Sequence, residues 1–328
     1  MKVALVGLGS VGRGVAEMLV KKDLGIVLTG IADSKSAFMD PAGIDIARVL
    51  ANKKKNGYCG DQKLTADDVI KKADYDALIE VTPTNALSGE PAIGSIKAAL
   101  SRKKHVVTSN KGPIALAAKE LRAMAKKKGV TLRYEATVAG AIPVMHTLEH
   151  GLAGNEILAL YGVLNGTCNF ILTRMAAEGL TYEQALMEAR EMGYAEADPT
   201  YDVQGIDAAI KLVILANTIW DNGVKLSDVD RTGIDLLTPD ALRLADENGC
   251  TIRLIAEANP KKHLLRVSPR ILDKNHPLVF EGTLNALTLE TDMAKEITLI
   301  GRGAGSIETA SAIIGDLLYI RDRYVQRA

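Results

Sequence analysis

Two charged residues stand in a segment of the chain that is otherwise apolar. Asp207 and Lys211 are four residues apart, and every other residue from Ile206 to Ala216 is apolar. A spacing of four puts two side chains on one face of an α-helix, and a helix that is apolar all round is predicted to be buried. Burying a carboxylate and an ammonium is costly unless they pair or serve a site. The pattern favours an active-site acid and base over a surface ion pair, which would be expected among polar neighbours.

A turn that carries two carboxylates precedes this helix. Residues 193–199 read GYAEADP and contain Glu196 and Asp198. Carboxylates at this position can receive the ammonium group of a substrate, or they can cap the helix and bind solvent. The spacing alone leaves both interpretations open.

A second lysine follows a predicted strand. Thr108 to Lys111 comes directly after the apolar run His105–Val107. In an open α/β sheet, ligands bind beyond the carboxyl ends of the strands. Lys111 is therefore well placed to reach a reacting oxygen, although a lone lysine at such a position is more often a loop residue.

The N-terminus carries a glycine-rich turn between a strand and a helix. Gly7, Gly9 and Gly12 form G-x-G-x-x-G after the apolar run KVALV. These glycines allow a tight turn, the approach of a pyrophosphate and close packing of helix on strand. The pyrophosphate would lie at the helix N-terminus, where free N–H groups favour an anion. Asp33 ends the next apolar run, where a ribose hydroxyl is usually bound, so the pattern predicts dinucleotide binding.

The choice between the two nicotinamide dinucleotides stays open. Asp33 favours NAD, because a carboxylate accepts from the free 2′-hydroxyl. Ser34 and Lys35 follow directly and can receive the 2′-phosphate of NADP. We expect NAD, with NADP as the alternative.

The elements that must position these residues alternate between strand and helix in the first part of the chain. Strands are predicted at 2–6, 26–32, 77–82, 105–111 and 130–135, with helices at 10–22, 92–100 and 115–128. The lysine-rich stretch 53–63 is predicted to be a solvated loop. The alternation predicts an α/β fold with a doubly wound parallel sheet of the Rossmann type.

After residue 135 the pattern changes. A long helix is predicted from about Asp202 to Trp220, followed by alternating strands at 251–258 and 263–272. Such strands are typical of an antiparallel sheet. We therefore predict a second domain of the α+β class.

Composition excludes several classes of protein. The 328 residues carry 40 Lys+Arg and 40 Asp+Glu, so the basic stripe of a nucleic-acid binder is not expected. The chain has no apolar run long enough for a membrane span and no signal-peptide pattern. Three widely spaced cysteines favour a reducing compartment. We expect a cytoplasmic protein that binds neither nucleic acid nor membrane.

The sequence also resembles the homoserine dehydrogenase family along nearly its whole length. The matching segments are VGLGSVGRGV, VVTSNKGPIA, YEATVAGAIPV, GVLNGTCNFILTRM, GYAEADPTYDVQGIDAAIKLVILA and GRGAGSIETASAIIGDL. The resemblance implies interconversion of L-homoserine and L-aspartate 4-semialdehyde with NAD or NADP, in threonine and methionine biosynthesis. It implies a homodimer and a short form, since 328 residues leave no room for a regulatory ACT domain or an aspartate kinase.

The resemblance also implies domain limits and residue roles. The dinucleotide-binding domain would span 1–134 and be completed by 302–328, and the substrate-binding and dimerisation domain would span 135–301. Lys211 matches the proton donor to the carbonyl, Lys111 the second active-site lysine, and Glu196 and Asp207 the substrate-binding acids. The predicted cofactor-binding residues are Gly7, Gly9, Ser10, Val11, Gly12, Asp33, Lys35, Thr82, Lys111 and Gly305. A monovalent cation, such as sodium, is expected at Glu135, Val138, Gly140 and Ile142.

Two alternative functions remain open, and Cys168 and Arg302 depart from the family pattern, the latter leaving the geometry of the GRGAG loop open. A related amino-acid dehydrogenase that oxidises aspartate would share this architecture, and a non-catalytic nicotinamide-binding redox sensor would share the first domain. Cys168 stands in NGTCNF, where the family usually has threonine. We interpret Cys168 as a small packing residue, because no histidine-bearing motif lies close to it.

Overall fold

The computed structural model describes residues 1–325, and the side chains up to residue 324. The first elements are β1 (Lys2–Val6), α1 (Ser10–Lys21), β2 (Val27–Ala32), β3 (Ala37–Met39), α2 (Ile46–Asn56), α3 (Ala66–Lys72), β4 (Ala77–Glu80), α4 (Ala92–Ser101), β5 (His105–Thr108), α5 (Lys111–Lys128), β6 (Leu132–Arg133) and α6 (Val144–His146). The later elements are β7 (Ile157–Val163), α7 (Gly166–Glu178), α8 (Tyr182–Glu191), α9 (Thr200–Val203), α10 (Ile206–Trp220), β8 (Asp230–Arg231), α11 (Pro239–Glu247), β9 (Cys250–Asn259), β10 (Leu264–Asp273), β11 (Leu284–Thr291), β12 (Glu296–Arg302) and α12 (Ser306–Ile320).

The chain divides into two compact units. The first unit contains residues 1–145 and the chain from Ala304 onward, and the second contains His146–Gly303. Residues 326–328, the end of the segment predicted to complete the dinucleotide-binding domain, lie outside the described residues.

The first unit is built on a six-stranded sheet in the order β3-β2-β1-β4-β5-β6. Strands β2, β1, β4, β5 and β6 run parallel to one another, and β3 pairs antiparallel with β2 at the edge. The strand order reverses between β1 and β4, which is the topological switch point of a doubly wound sheet. The predicted Rossmann-type fold is confirmed.

The C-terminal helix α12 belongs to the core of the first unit. Its Ile313 and Leu317 are fully buried together with Val3 and Ile79 of the sheet. Asp316 of the same helix is fully buried and accepts a hydrogen bond from Arg133 Nε at 2.9 Å. Removing one partner of a buried ion pair is strongly destabilising. The pair between Arg133 of β6 and Asp316 therefore helps to hold α12 against the edge strand of the sheet.

The second unit contains a sheet in the order β12-β11-β7-β9-β10-β8. Its strand pairs are antiparallel except for β8 with β10. Helices α7, α10 and α11 contact its strands. The unit therefore has the predicted α+β character.

The structure corrects three predictions of secondary structure. Strand β3 was not predicted, because three residues between turns carry no periodic signal. The first part of the predicted loop 53–63 is helical, because α2 continues to Asn56 and ends at Gly57 with φ +80°. The predicted helix 202–220 is two helices, since Gly205 adopts φ +71° between α9 and α10.

Every helix within residues 1–325 is too short or too polar to span a bilayer.

Candidate active site

The glycine turn has the geometry that its sequence requires. Gly7 adopts φ +104°, and a Cβ there would lie 2.5 Å from the Val81 carbonyl oxygen. A Cβ at Gly12 would lie 1.9 Å from the Gly7 carbonyl oxygen. Both positions are sterically closed to a side chain, so α1 starts directly against the strand that precedes it.

The middle glycine, in contrast, lies beside open space. A Cβ at Gly9 would meet no atom of the described residues within 4 Å. Gly9 is the N-cap of α1 and has no side chain with which to cap the helix. Ser10 and Val11 follow as the first helical residues. Their N–H groups and the helix dipole suit an anionic group at this place.

Gly305 lies in the same unit, at the start of α12. It adopts φ +125°, a conformation that favours glycine. The next residue, Ser306, donates a hydrogen bond from Oγ to the Ser10 carbonyl oxygen at 2.6 Å. A Cβ at Gly14 would lie 2.5 Å from the Ser306 carbonyl oxygen. The structure thus brings the turn before α12 to the N-terminus of α1.

Asp33 is buried at the end of β2 and uses both carboxylate oxygens. Oδ1 accepts from Lys35 N and Ser36 N, each at 2.8 Å, and Oδ2 pairs with Lys53 Nζ at 2.6 Å. Burial raises the pKa of Asp33, but the hydrogen bonds from Lys53, Lys35 and Ser36 outweigh it and hold the pKa below its ordinary value. The side chain of Lys35 is exposed beside this carboxylate.

Thr82 and Lys111 lie just beyond the carboxyl ends of β4 and β5. Lys111 is the first residue of α5, and Asn110 caps that helix by accepting from Gly112 N. Asn110 Nδ2 donates to the Thr82 carbonyl oxygen at 3.1 Å. The structure therefore links the segments that carry Thr82 and Lys111. Beneath them is a fully buried carboxylate, Glu80, which the sequence analysis did not single out.

The predicted cation segment is a tight, buried turn. Glu135 is 2% exposed, and its Oε1 accepts from Met145 N at 2.8 Å. Ala139 and Gly140 both have positive φ, at 60° and 54°. Two successive left-handed residues bend the main chain sharply, with Val138 before them and Ile142 after.

In the second unit, Lys211 and Asp207 form the buried pair that the sequence predicted. Lys211 Nζ lies 2.7 Å from Asp207 Oδ2, and the two side chains are 10% and 7% exposed. Lys211 Nζ also donates to the Leu164 carbonyl oxygen at 2.6 Å. The ammonium group is therefore held by two acceptors from different elements.

Two polar residues missed by the sequence analysis surround this pair. Asn165 Nδ2 donates to Asp207 Oδ2 at 3.1 Å and to Asp202 Oδ1 at 2.7 Å. Asn165 Oδ1 caps α7 by accepting from Cys168 N. The only signal in the sequence was an asparagine directly after an apolar run, which also fits an ordinary N-cap.

Glu196 lies exposed in the turn after α8. Among the described residues it forms no hydrogen bond to Asp207 or Lys211. The turn itself is fixed to α7, because Thr167 Oγ1 donates to the Tyr194 carbonyl oxygen at 2.8 Å and the rings of Phe170 and Tyr194 are 4.9 Å apart. Glu196 is thus on a segment anchored beside the start of α7.

Cys168 is completely buried at the start of α7. Burial raises the pKa of its thiol well above the ordinary value, and the nearby Asp202 and Asp207 carboxylates act in the same direction. A thiol that resists ionisation is a poor nucleophile. The interpretation of Cys168 as a packing residue agrees with this environment.

The sheet order of the first unit and the open N-terminus of α1 define a dinucleotide-binding domain of the kind that nicotinamide-dependent oxidoreductases contain. The model of the homoserine dehydrogenase NAD-binding domain matches residues 7–135, and the homoserine dehydrogenase model matches residues 143–318. The chain belongs to the homoserine dehydrogenase family. The family predicted from the sequence is thus confirmed, and the alternatives of an aspartate-oxidising enzyme and a redox sensor lose their support.

Individual relatives agree with this assignment. A homoserine dehydrogenase from Methanocaldococcus jannaschii is 46% identical, over 98% of each chain. An NAD(+)-dependent homoserine dehydrogenase from Pseudomonas canavaninivorans is 38% identical, over 97% of this chain and 96% of its own. A crystal structure from Archaeoglobus fulgidus, described as a candidate homoserine dehydrogenase, superimposes with a TM-score of 0.92 at 47% identity, over 98% of this chain and 99% of its own.

Proposed function

We propose that the protein interconverts L-homoserine and L-aspartate 4-semialdehyde, within threonine and methionine biosynthesis. The observation that carries this proposal is the Lys211 ammonium, buried on an apolar helix and held by Asp207 and the Leu164 carbonyl oxygen. A dehydrogenase of this kind must supply a proton to the carbonyl oxygen when the carbonyl carbon is reduced. A fixed ammonium group suits that task.

The hydrogen bonding of Lys211 supports its role as the proton donor. An ammonium group has three N–H donors, and Asp207 and Leu164 accept two of them. The third is left for a substrate oxygen, because the described residues supply no other acceptor. The nicotinamide dinucleotide supplies or accepts the hydride when it is bound. In the reverse direction Lys211 takes the hydroxyl proton of homoserine.

The substrate has an amino acid end that must be fixed. We assign Glu196 and Asp207 to its ammonium group, since carboxylates are the natural acceptors for it. Lys111, at the N-terminus of α5, would be the second active-site lysine. Within the second unit, Glu196 and Asp207 at the ammonium end and Lys211 at the carbonyl oxygen would orient the substrate, which lowers the entropic part of the barrier.

The first unit would bind the dinucleotide and the second the substrate. The pyrophosphate would lie on the N–H groups of Gly9, Ser10 and Val11, and the remaining contacts would come from Gly7, Gly12, Asp33, Lys35, Thr82, Lys111 and Gly305. We propose NAD as the preferred cofactor, because Asp33 is ionised where a ribose hydroxyl would donate to it. Lys35 and Lys53 lie beside Asp33 and keep NADP as the alternative.

One spectrophotometric assay tests the reaction and the cofactor together. The purified protein is mixed with homoserine and either NAD or NADP, and reduction of the cofactor is followed. We expect reduction with homoserine, none with aspartate, and a higher kcat/KM for NAD than for NADP. If the cofactor is reduced with aspartate but not with homoserine, the proposed substrate is wrong. A higher kcat/KM for NADP than for NAD would contradict the role of Asp33.

We also propose a monovalent cation at Glu135, Val138, Gly140 and Ile142. The Glu135 carboxylate and the main-chain carbonyl groups of Val138, Gly140 and Ile142 would supply an all-oxygen donor set, which hard cations prefer. The cation would stabilise the turn and take no part in proton transfer. Anomalous scattering from thallium-soaked crystals would locate it.

The protein is further proposed to be a cytoplasmic homodimer. Its three cysteines are free, as expected in a reducing compartment. The sheet of the second unit offers a surface for a second copy, because Tyr161, Ile271 and Leu272 line a depression of about 290 Å³ there and Ile271 is 67% exposed. The mass in solution, measured by light scattering, is expected to be twice that of the chain.

A further inference from the structure

Glu80 is a buried carboxylate that the proposed mechanism does not use. It is the last residue of β4 and has no exposed surface. In the sheet it lies between Val6 of β1 and Thr108 of β5. The position is thus on the carboxyl edge of the sheet, beside the switch point where dinucleotides bind.

Both oxygens of Glu80 accept hydrogen bonds from segments that follow neighbouring strands. Oε1 accepts from Thr82 N at 3.0 Å and from Thr82 Oγ1. Oε2 accepts from Thr108 Oγ1 at 2.9 Å. One side chain therefore ties the residues after β4 to the end of β5.

Asn110 extends this connection to the helix that begins with Lys111. Asn110 N donates to Thr108 Oγ1 at 2.9 Å, so the hydroxyl hydrogen of Thr108 is left for Glu80. Asn110 Nδ2 donates to the Thr82 carbonyl oxygen at 3.1 Å, while Asn110 Oδ1 accepts from Gly112 N at 3.2 Å. The cap of α5 is thus connected to Thr82 directly and to Glu80 through Thr108.

The burial of this carboxylate carries an energetic cost. Burial raises the pKa of Glu80, and the hydrogen bonds from Thr82, Thr108 and Asn110 oppose the shift. Within residues 1–325 no lysine or arginine pairs with it. A buried carboxylate without a cationic partner is unfavourable for folding, which argues that its hydrogen bonds serve another purpose.

We propose that Glu80 is a positioning residue that holds Thr82 and the turn before Lys111 in one fixed arrangement. The proposal rests on the proposed function, because it concerns the residues assigned to the cofactor and to the second active-site lysine. Glu80 itself touches neither cofactor nor substrate in this role. It acts through Thr82, Thr108 and Asn110.

Substitutions at Glu80 and Thr108 test the proposal. Glu80→Gln keeps the shape but replaces one acceptor by a donor, and Thr108→Val removes the hydroxyl at nearly constant volume. Because small displacements of positioned groups reduce catalysis strongly, each is expected to lower kcat/KM for homoserine by roughly 10- to 100-fold. Thr108→Ser keeps the hydroxyl and is expected to retain wild-type kinetics. The double variant should be no worse than the single ones, since both break the same network.

Thr29→Val is the matched control for loss of stability alone. Thr29 is 1% exposed, and its hydroxyl donates to the Asp74 carbonyl oxygen at 2.6 Å. This hydrogen bond lies near the amino ends of the strands, away from the edge that carries Glu80. The Thr29→Val variant is expected to have a lower Tm than the wild type and an unchanged kcat/KM. The proposal is overturned if Glu80→Gln and Thr108→Val behave like Thr29→Val, or if Thr108→Ser is as impaired as Thr108→Val.

A second readout separates this inference from the proposed reaction. NADH affinity, measured by fluorescence titration, does not depend on the identity of the substrate. Glu80→Gln and Thr108→Val are expected to weaken NADH binding, whereas Thr108→Ser and Thr29→Val are not. If the wild type does not oxidise homoserine, the reaction is wrong, and the NADH titration still decides the role of Glu80.

Discussion

Lys211→Ala is expected to lower kcat by roughly 10²- to 10⁴-fold, the range for loss of a general acid or base. The methyl group cannot donate to a carbonyl oxygen, and Asp207 and the Leu164 carbonyl oxygen lose their shared donor. NADH binding is expected to stay close to that of the wild type, because the glycine turn lies in the other unit. Steady-state kinetics with homoserine, together with an NADH titration, measure both quantities.

Two further variants control for charge and for folding. Lys211→Arg keeps a positive charge next to Asp207, but a guanidinium does not give up its proton, so it should remain impaired. Lys262→Ala removes an exposed lysine of the same unit and should have no effect. Wild-type turnover in Lys211→Ala would rule out Lys211 as the proton donor.

Gly12→Ala is expected to abolish measurable dinucleotide binding and to destabilise the first unit. The new Cβ would lie 1.9 Å from the Gly7 carbonyl oxygen, and main-chain atoms cannot move away without shifting α1 from its strand. Overpacking of this kind typically costs about 1–3 kcal/mol or more. Thermal unfolding and NADH titration are the measurements.

Gly9→Ala is the matched variant that leaves the fold intact. Its φ of −81° is ordinary for alanine, and its Cβ would meet no described atom within 4 Å. The wild-type Tm is therefore expected. The methyl group would occupy the approach of the pyrophosphate and weaken NADH binding about tenfold, which corresponds to about 1.4 kcal/mol. Unchanged affinity in Gly9→Ala would contradict a pyrophosphate at this helix N-terminus.

The sequence was informative where one segment contains the whole signal. The glycine turn joins a strand to a helix within Lys2–Lys21, and the charged pair on α10 is four residues apart within an apolar run. In both cases the local pattern specifies the geometry. The first sheet was predictable for the same reason, because its strands and helices are regular and alternate.

The features that were missed depend on contacts between distant segments. Lys53 pairs with Asp33 across 20 residues, and within its own segment it resembles any exposed lysine. Thr108 bonds to Glu80 across 28 residues, and a single carboxylate in ALIEVT gave no sign of burial. The break at Gly205 was missed because one glycine does not reveal its φ angle.

The position of α12 has a consequence for the synthesis of the protein. Ile313, Leu317 and Ile320 fill the core under strands that are translated near the beginning. The nascent first unit therefore lacks part of its core until nearly the whole second unit has emerged from the ribosome. Contacts of such long sequence separation form slowly. The N-terminal sheet therefore stays partly uncovered until α12 has been synthesised.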